Sequence, residues 1–260
     1  MLRGLYTAYT GMLNEQYRLD ILSNNLANAD TTGFKKEGST SQSYSEVMAV
    51  KIKDTSEHPN TPKDLGSMSL GVKIGETYTD FSQGSFRETG NTFDLALSGD
   101  GFFNIEFTNK SGETSVKYTR DGSFTLTADG YLVTDDGDYV LDTEGEHIKL
   151  DTLTTDTQII SDGSIYQDGN LVAQIQLTAF EDNDYLSHYG ETMWDTVEGA
   201  TEVENPDVKV YQGYLEQSNI NVVEEMVNMI SIQRHYEANQ KLITTYDESL
   251  DKSVNQIGRV

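Results

Sequence analysis

The sequence predicts an α+β chain in three parts: a discontinuous α-helical, coiled-coil domain made from both termini, an extended linker, and an inserted antiparallel all-β domain. Three observations carry this. Apolar residues recur at steps of seven near the C-terminus (Val222, Met229, Tyr236, Ile243, Leu250, Ile257). They do so again near the N-terminus (Leu5, Met12, Leu19, Leu26). Between the two, the period changes to short β-rich runs separated by Gly, Asp and Asn. A seven-residue apolar repeat is a stripe along a helix that stays dry only against other helices. The expected divisions are 1–36 with 215–260 for the helical assembly domain, 37–83 for the linker, and 84–214 for the β-rich domain with its return linker.

The first helix is expected from Leu2 to Asn28, a rod of roughly 40 Å. Its weaker companion stripe is Leu2, Tyr9, Gln16 and Ser23, so the seam is half polar. Asn28-Ala29-Asp30-Thr31-Thr32-Gly33 ends it, because these residues favour turns and local side-chain-to-backbone bonds. Residues 37–80 then hold Ser, Thr, Lys and Asp with Pro59 and Pro62 and no sustained period, which reads as extended linker.

The β-rich stretch begins near Gly84. Phe93–Leu97 and Gly101–Phe107 are expected strands, and Tyr118–Leu126 a turn and a strand. Asp129-Gly130 and Asp136-Gly137 bracket the run Tyr131–Thr134 as hairpin turns. Ile165–Val172, with Asp168-Gly169 at its middle, reads as a further hairpin.

The last helix is expected to start after Ser218 or Asn219, either a good N-cap, and to run to Ile257 with Gly258 as its stop. Glu224 and Glu225 in its early turns suit the helix dipole. Its expected companion positions are Met226, Gln233, Gln240, Asp247 and Val254. The first half is apolar nearly all round, so it needs partners on more than one side. A hairpin closed within one chain would cover one side. The stripes read further as surfaces for neighbouring copies.

Charge separates the same parts. The net charge is −25. Residues 1–36 carry +1 and residues 219–260 carry −2, leaving −24 for the middle. Close packing of copies tolerates near-neutral surfaces and penalises like charge, so the ends are the expected contact surfaces. An acidic surface repels phosphate, which argues against nucleic acid. No run of 18 apolar residues exists, so no membrane insertion is expected. Met1–Leu5 lacks the pattern of a cleavable secretory signal. With no cysteine, disulfides and thiolate metal sites are absent.

The search for chemistry returns little. The Asp-Gly pairs lack EF-hand spacing and are better explained as turns. His58, His147, His188 and His235 are scattered, with no HExxH pair. Gly99-Asp100-Gly101-Phe102 lacks the Lys-Ser/Thr ending of a phosphate loop. Asn109-Lys110-Ser111 is a formal glycosylation sequon of the kind common by chance. Nothing marks out a catalytic acid pair among the many carboxylates. Accordingly no enzyme, cofactor or metal is expected. A secreted β-domain binding module or adhesin, oligomerised by its terminal helices, is the alternative reading of the same pattern.

Four segments in order resemble the flagellar rod and hook axial protein family. Leu22-Ser23-Asn24-Asn25-Leu26-Ala27-Asn28 followed by Thr32-Gly33-Phe34-Lys35 is similar to the N-terminal motif. The run Asp94–Phe103, with Gly99, Gly101, Phe102 and Phe103, is similar to the central motif. Tyr118–Phe124 with Gly130–Val133 is similar to the next. Gln212–Asn221, with Ser218 and Asn219, then Glu224–Ile230 and Gln233–Asn239, is similar to the C-terminal motif. Length and central motifs look most like the rod members.

The resemblance implies a non-enzymatic subunit of a helical tube. Its terminal helices would form an inner layer around the export channel, with the β domain outside. Its partners would be copies of itself, neighbouring rod and hook subunits, and the flagellar type III export apparatus. It would reside in the flagellar basal body, outside the cytoplasmic membrane, exported without a cleavable signal. The family's termini are typically ordered only on assembly, which agrees with half-polar stripes that are marginal alone.

Overall fold

In the computed structural model, residues 2–51, 63–110, 112–154, 156–203 and 206–257 are described. His58, Pro59, Pro62, Ser111 and Gly258 lie outside these residues. Two helices frame the chain, α1 (Leu2–Ala27) and α2 (Val222–Lys252), with a π-helical turn Ser253–Ile257 after α2. The middle is β-rich, so the mixed helix-and-sheet composition expected from the sequence holds. The chain divides into two compact units, each assembled from separated stretches: 1–26, 37–78 and 222–260 in one, 27–36 and 79–221 in the other.

The first unit holds α1, α2 and a β ribbon. The ribbon is nested. Lys36–Ser43 pairs with Val72–Asp80, and Glu46–Lys51 pairs antiparallel with Lys63–Ser69. The linker expectation for 37–83 therefore meets four strands. The reason they were not legible is physical. A two-stranded ribbon has no fully buried face to impose a period of two, and the Lys36–Ser43 strand runs from half-buried to exposed without alternation.

The second unit is the antiparallel β domain. Its main sheet runs in the order Leu186–Tyr189, Met193–Thr196, Thr114–Thr119, Phe102–Thr108, Tyr139–Val140, Leu132–Thr134, Phe124–Leu126. Leu177–Thr178 also pairs with the Phe102–Thr108 strand, at Leu177 with Phe103. A three-stranded sheet holds Thr157–Ile159, Ser164–Gln167 and Asn170–Gln174. Asp168-Gly169 makes the expected tight turn there, both residues having positive φ. The outgoing and returning chains pair: Leu95–Ser98 with Lys209–Gln212, and Phe86–Glu88 with Tyr214–Glu216.

Successive residues on a strand face opposite sides of a sheet. Phe102 and Phe103 show what this does. Phe103 joins the main core with Leu95, Leu97, Ile105, Phe124 and Leu132. Phe102 points the other way, into a second cluster with Tyr118, Phe180 and Trp194, against which Phe81 packs.

Candidate assembly surface

Within the first unit the two helices pair antiparallel along a narrow seam. Gly4 faces Tyr246, whose Oη would lie 2.5 Å from a Cβ added at that position, and Gly11 faces Asn239 at 3.0 Å from its Nδ2. A Cβ at Gly4 would require the Tyr246 ring to shift, and one at Gly11 would press on the Asn239 amide. Ala8 and Asn14 are buried on α1, so small and polar residues, rather than large apolar ones, occupy its most enclosed positions.

The second seam of α2 differs from the expected one. Met226, Gln233, Gln240, Asp247 and Val254 are all exposed. The more enclosed series is Glu225, Ile232, Asn239 and Tyr246, one residue earlier. It follows Val222, Met229, Tyr236 and Ile243 by three residues, so α2 carries a true three-four alternation. Glu225, a residue type expected at the surface, is fully buried in this series. On α1 the companions Tyr9, Gln16 and Ser23 are likewise exposed. The residues predicted for assembly, Leu5, Met12, Leu19, Leu26, Val222, Met229, Tyr236 and Ile243, are half-buried in the single chain, and Leu250 is exposed. The side chain of Ile257 lies outside the described residues.

A third side of α1 meets the ribbon. Thr7 Oγ1 donates to the Leu70 carbonyl (3.1 Å), and Asn14 Nδ2 donates to Ser41 Oγ (3.1 Å). Asn25 Nδ2 donates to the Glu37 carbonyl (2.8 Å), and the Glu37 N–H donates back to Asn25 Oδ1 (3.0 Å). The motif asparagine thus supplies one rung of a β ladder from its side chain. Its neighbours Asn24 and Ala27 are exposed, while Leu26 and Asn28 are half-buried.

The remaining face of α1 is an aromatic stripe that the heptad reading missed. Tyr6 (63 % exposed), Tyr9, Leu13 and Tyr17 follow one another at helical spacing. The signal was there in the i, i+3, i+7, i+11 spacing of Tyr6, Tyr9, Leu13 and Tyr17, but a search for steps of seven does not collect these four as one row. On α2, Val223, Met226, Val227 and Ile230 are similarly exposed. Between the helices lies a groove of about 480 Å³ lined by Glu15, Gln16, Leu19, Asp20, Gln233, Tyr236, Glu237 and Gln240.

In the second unit, three of the four motifs meet around one carboxylate. Glu216 accepts from Lys35 Nζ (2.7 Å), from the Gly84 N–H (2.9 Å) and from Arg120 Nη1 (3.4 Å). Burial pushes the Lys35 ammonium below its ordinary pKa and the nearby Arg120 adds to this, against the opposing pull of Glu216. Lys35 also donates to the Ser82 carbonyl (2.9 Å), and the Arg120 guanidinium lies over the Phe102 ring. Thr32 Oγ1 donates to Asp121 (2.7 Å), whose carboxyl burial raises above the usual range. Gly33, at φ +68°, approaches the Arg120–Asp121 backbone too closely to admit a Cβ.

Asn219, expected as an N-cap, is used otherwise. Its Oδ1 accepts from the Lys36 N–H (2.8 Å), and its Nδ2 donates to the Asp80 carbonyl (2.7 Å) and to Ser82. The α2 helix begins three residues later. Ser218 is buried beside it. Gly99 takes φ +110° in the turn before Gly101, placing Phe102 and Phe103 at the start of their strand.

No group of three or more His, Cys, Asp or Glu side chains suited to a metal ion occurs among the described residues. Nor does any described helix have the length and apolarity to cross a membrane.

Three family descriptions match along the chain. Residues 5–35 match the flagella basal body rod protein family, residues 96–167 the D1 domain of the flagellar hook protein FlgE/F/G family, and residues 211–257 the C-terminal region of flagellar basal body rod FlgEFG proteins. The chain is 35 % identical to the flagellar basal-body rod protein FlgG of Bacillus subtilis over 272 residues, covering 98 % of this chain and 99 % of that one. It is 33 % identical to FlgG of Buchnera aphidicola subsp. Acyrthosiphon pisum over 267 residues (97 % and 98 % covered). It is 32 % identical to the rod protein FlgF of Mesorhizobium japonicum over 258 residues (98 % and 97 % covered).

Proposed function

Because the chain belongs to the flagellar basal-body rod and hook protein family, we propose that it is a structural axial subunit of the rod, polymerising through its terminal helices into a helical tube that transmits torque and surrounds the export channel. The observation that carries this is end-to-end similarity to FlgG and FlgF, with matched segments near the N-terminus, in the β domain and near the C-terminus.

The physical arrangement supports the assembly mode. Segments 1–36 and 215–260 act as the assembly domain, 37–83 as the connecting region, and 84–214 as the outward β domain. Pairing of α1 with α2 leaves apolar side chains exposed on both, and copies of the chain together with neighbouring rod and hook subunits cover them in a coiled-coil layer. Leu5, Met12, Leu19, Leu26, Val222, Met229, Tyr236, Ile243, Leu250 and Ile257 become fully enclosed there.

The chain works without cofactor and catalyses no reaction. It reaches the basal body, outside the cytoplasmic membrane, through the flagellar type III apparatus. It inserts into no membrane and binds no nucleic acid, in keeping with a middle region of net charge −24. The test is isolation of basal bodies from cells carrying an epitope-tagged copy, followed by electron microscopy of the labelled particles. Label along the rod is the expected result, and intact rods devoid of the chain would overturn the assignment.

A further inference from the structure

The groove between α1 and α2 and the open face of α1 have complementary chemistry. The groove has the apolar surfaces of Leu19 and Tyr236 beside the carboxylates of Glu15, Asp20 and Glu237. A segment seated there must bring apolar bulk, must tolerate hydrogen-bond acceptors at its rim, and must bring no negative charge of its own.

Two exposed apolar surfaces of the helices compete for that role, and charge separates them. The exposed α2 patch around Val223, Met226, Val227 and Ile230 has the carboxylate of Glu224 exposed in the same first turns. The first half of α1 contains no carboxylate before Glu15, and Arg3 is its one charged side chain. It presents Tyr6, Tyr9 and Leu13 to solvent. A tyrosine has an apolar ring and a phenolic donor at its tip, so it fits a site with an apolar wall and a carboxylate rim.

We infer that the acid-rimmed groove of one copy receives the tyrosine face of α1, residues 6–13, from a second copy. The inference rests on the rod-subunit reading and specifies its contact. Donor face and groove are different patches of the same molecule, so the contact is heterologous. Heterologous contacts propagate into rings or helical filaments instead of closing a two-fold dimer.

The chain lacks cysteine, which makes engineered cross-linking unambiguous. Cells would express two full-length populations with distinguishable tags, one carrying Tyr6→Cys and the other Gln233→Cys, and isolated basal bodies would be oxidised. A mixed-tag disulfide dimer at least about tenfold above either variant alone is the expected result, since a disulfide needs Cα atoms roughly 4.4–6.8 Å apart. Rods that incorporate both populations yet give no mixed dimer overturn the groove assignment and leave the rod reading standing.

A charge exchange tests the same contact without cysteine. Tyr9→Glu should reduce incorporation at least about tenfold by setting a carboxylate against the acid rim, and adding Glu237→Lys should restore it. Incorporation of Tyr9→Glu at the unmodified level, or failure of the second change to rescue, overturns the inference. Rods lacking even the unmodified chain overturn the rod reading itself.

Discussion

Lys35 Nζ stands 2.7 Å from the Glu216 carboxylate, and the two side chains are 1 % and 0 % exposed. These residues are far apart in sequence, and each lies in a different motif. The ion pair therefore fixes the turn after α1 to the returning strand Tyr214–Glu216 inside the second unit. A buried pair is expensive to form but more expensive to break on one side.

Removal of the shared carboxylate should show this. Glu216→Ala leaves Lys35 and Arg120 buried without their counter-charge, at a cost of about 3–5 kcal/mol. Lys35→Met keeps the volume and leaves Glu216 paired with Arg120, so its cost should be well under half of that. Urea unfolding followed through Trp194, the only tryptophan and 1 % exposed, measures both.

Asn25 tests the ladder rung. Asn25→Asp keeps the acceptor for the Glu37 N–H but sets a carboxylate oxygen against the Glu37 carbonyl. Asn25→Ala removes both bonds. Each should cost about 1–3 kcal/mol locally. The expected observation is faster hydrogen exchange at the Glu37 amide and along the Lys36–Ser43 strand.

Ile243 sits half-buried on the heptad face of α2. Ile243→Asp should abolish incorporation into rods, because a charge enclosed by neighbouring helices costs several kcal/mol. The β unit should be untouched, with Trp194 fluorescence and its urea midpoint unchanged. Wild-type incorporation by this variant would refute the placement of Ile243 in a packed seam.

Tyr118 gives a pH dependence. Burial, then the nearby Glu202 carboxylate, raises its phenol from 10.0 to about 12. The folded state thus favours the neutral phenol. That stabilisation is fully present below pH 10 and is lost as pH rises from 10 through about 12. The loss is on the order of 2 kcal/mol, from about 1.36 kcal/mol per unit. Tyr118→Phe should flatten this limb of the stability curve relative to the unmodified chain, measured by urea midpoints from pH 9 to 12.

Much of the fold was legible because it rests on local rules. The α1 bounds, Leu2–Ala27, differ by one residue from the expected end at Asn28. The Asp-Gly turns produced the hairpin at Asp168-Gly169 because only a few residue types accept positive φ. The start of α2 was misplaced by about a turn. Asn219 has the chemistry of a cap, but its amide is bound to Lys36, Asp80 and Ser82. Caps are local only when no distant backbone competes for the same side chain.

The candidate surface was legible in part. A step of seven found one row of α2; the adjoining row through Glu225, Ile232, Asn239 and Tyr246 was not distinguishable from the row through Met226, Gln233 and Gln240, since both mix polar and apolar residues. Gly4 faces Tyr246 and Gly11 faces Asn239 across the helix pair, a pairing that the spacing within either helix does not encode.

The amino-acid order by itself determined the two helices, the antiparallel character of the middle, and the separation of near-neutral ends from a polyanionic centre. These follow from periodicity, turn chemistry and charge, all of which act over a few residues or over the whole composition. Which carboxylate is buried between two cations, which asparagine replaces a ladder rung, and which face of α1 is left open were decided only by tertiary structure. Each depends on groups from 12 to 181 residues away arriving within hydrogen-bond distance, and no local rule encodes that arrival.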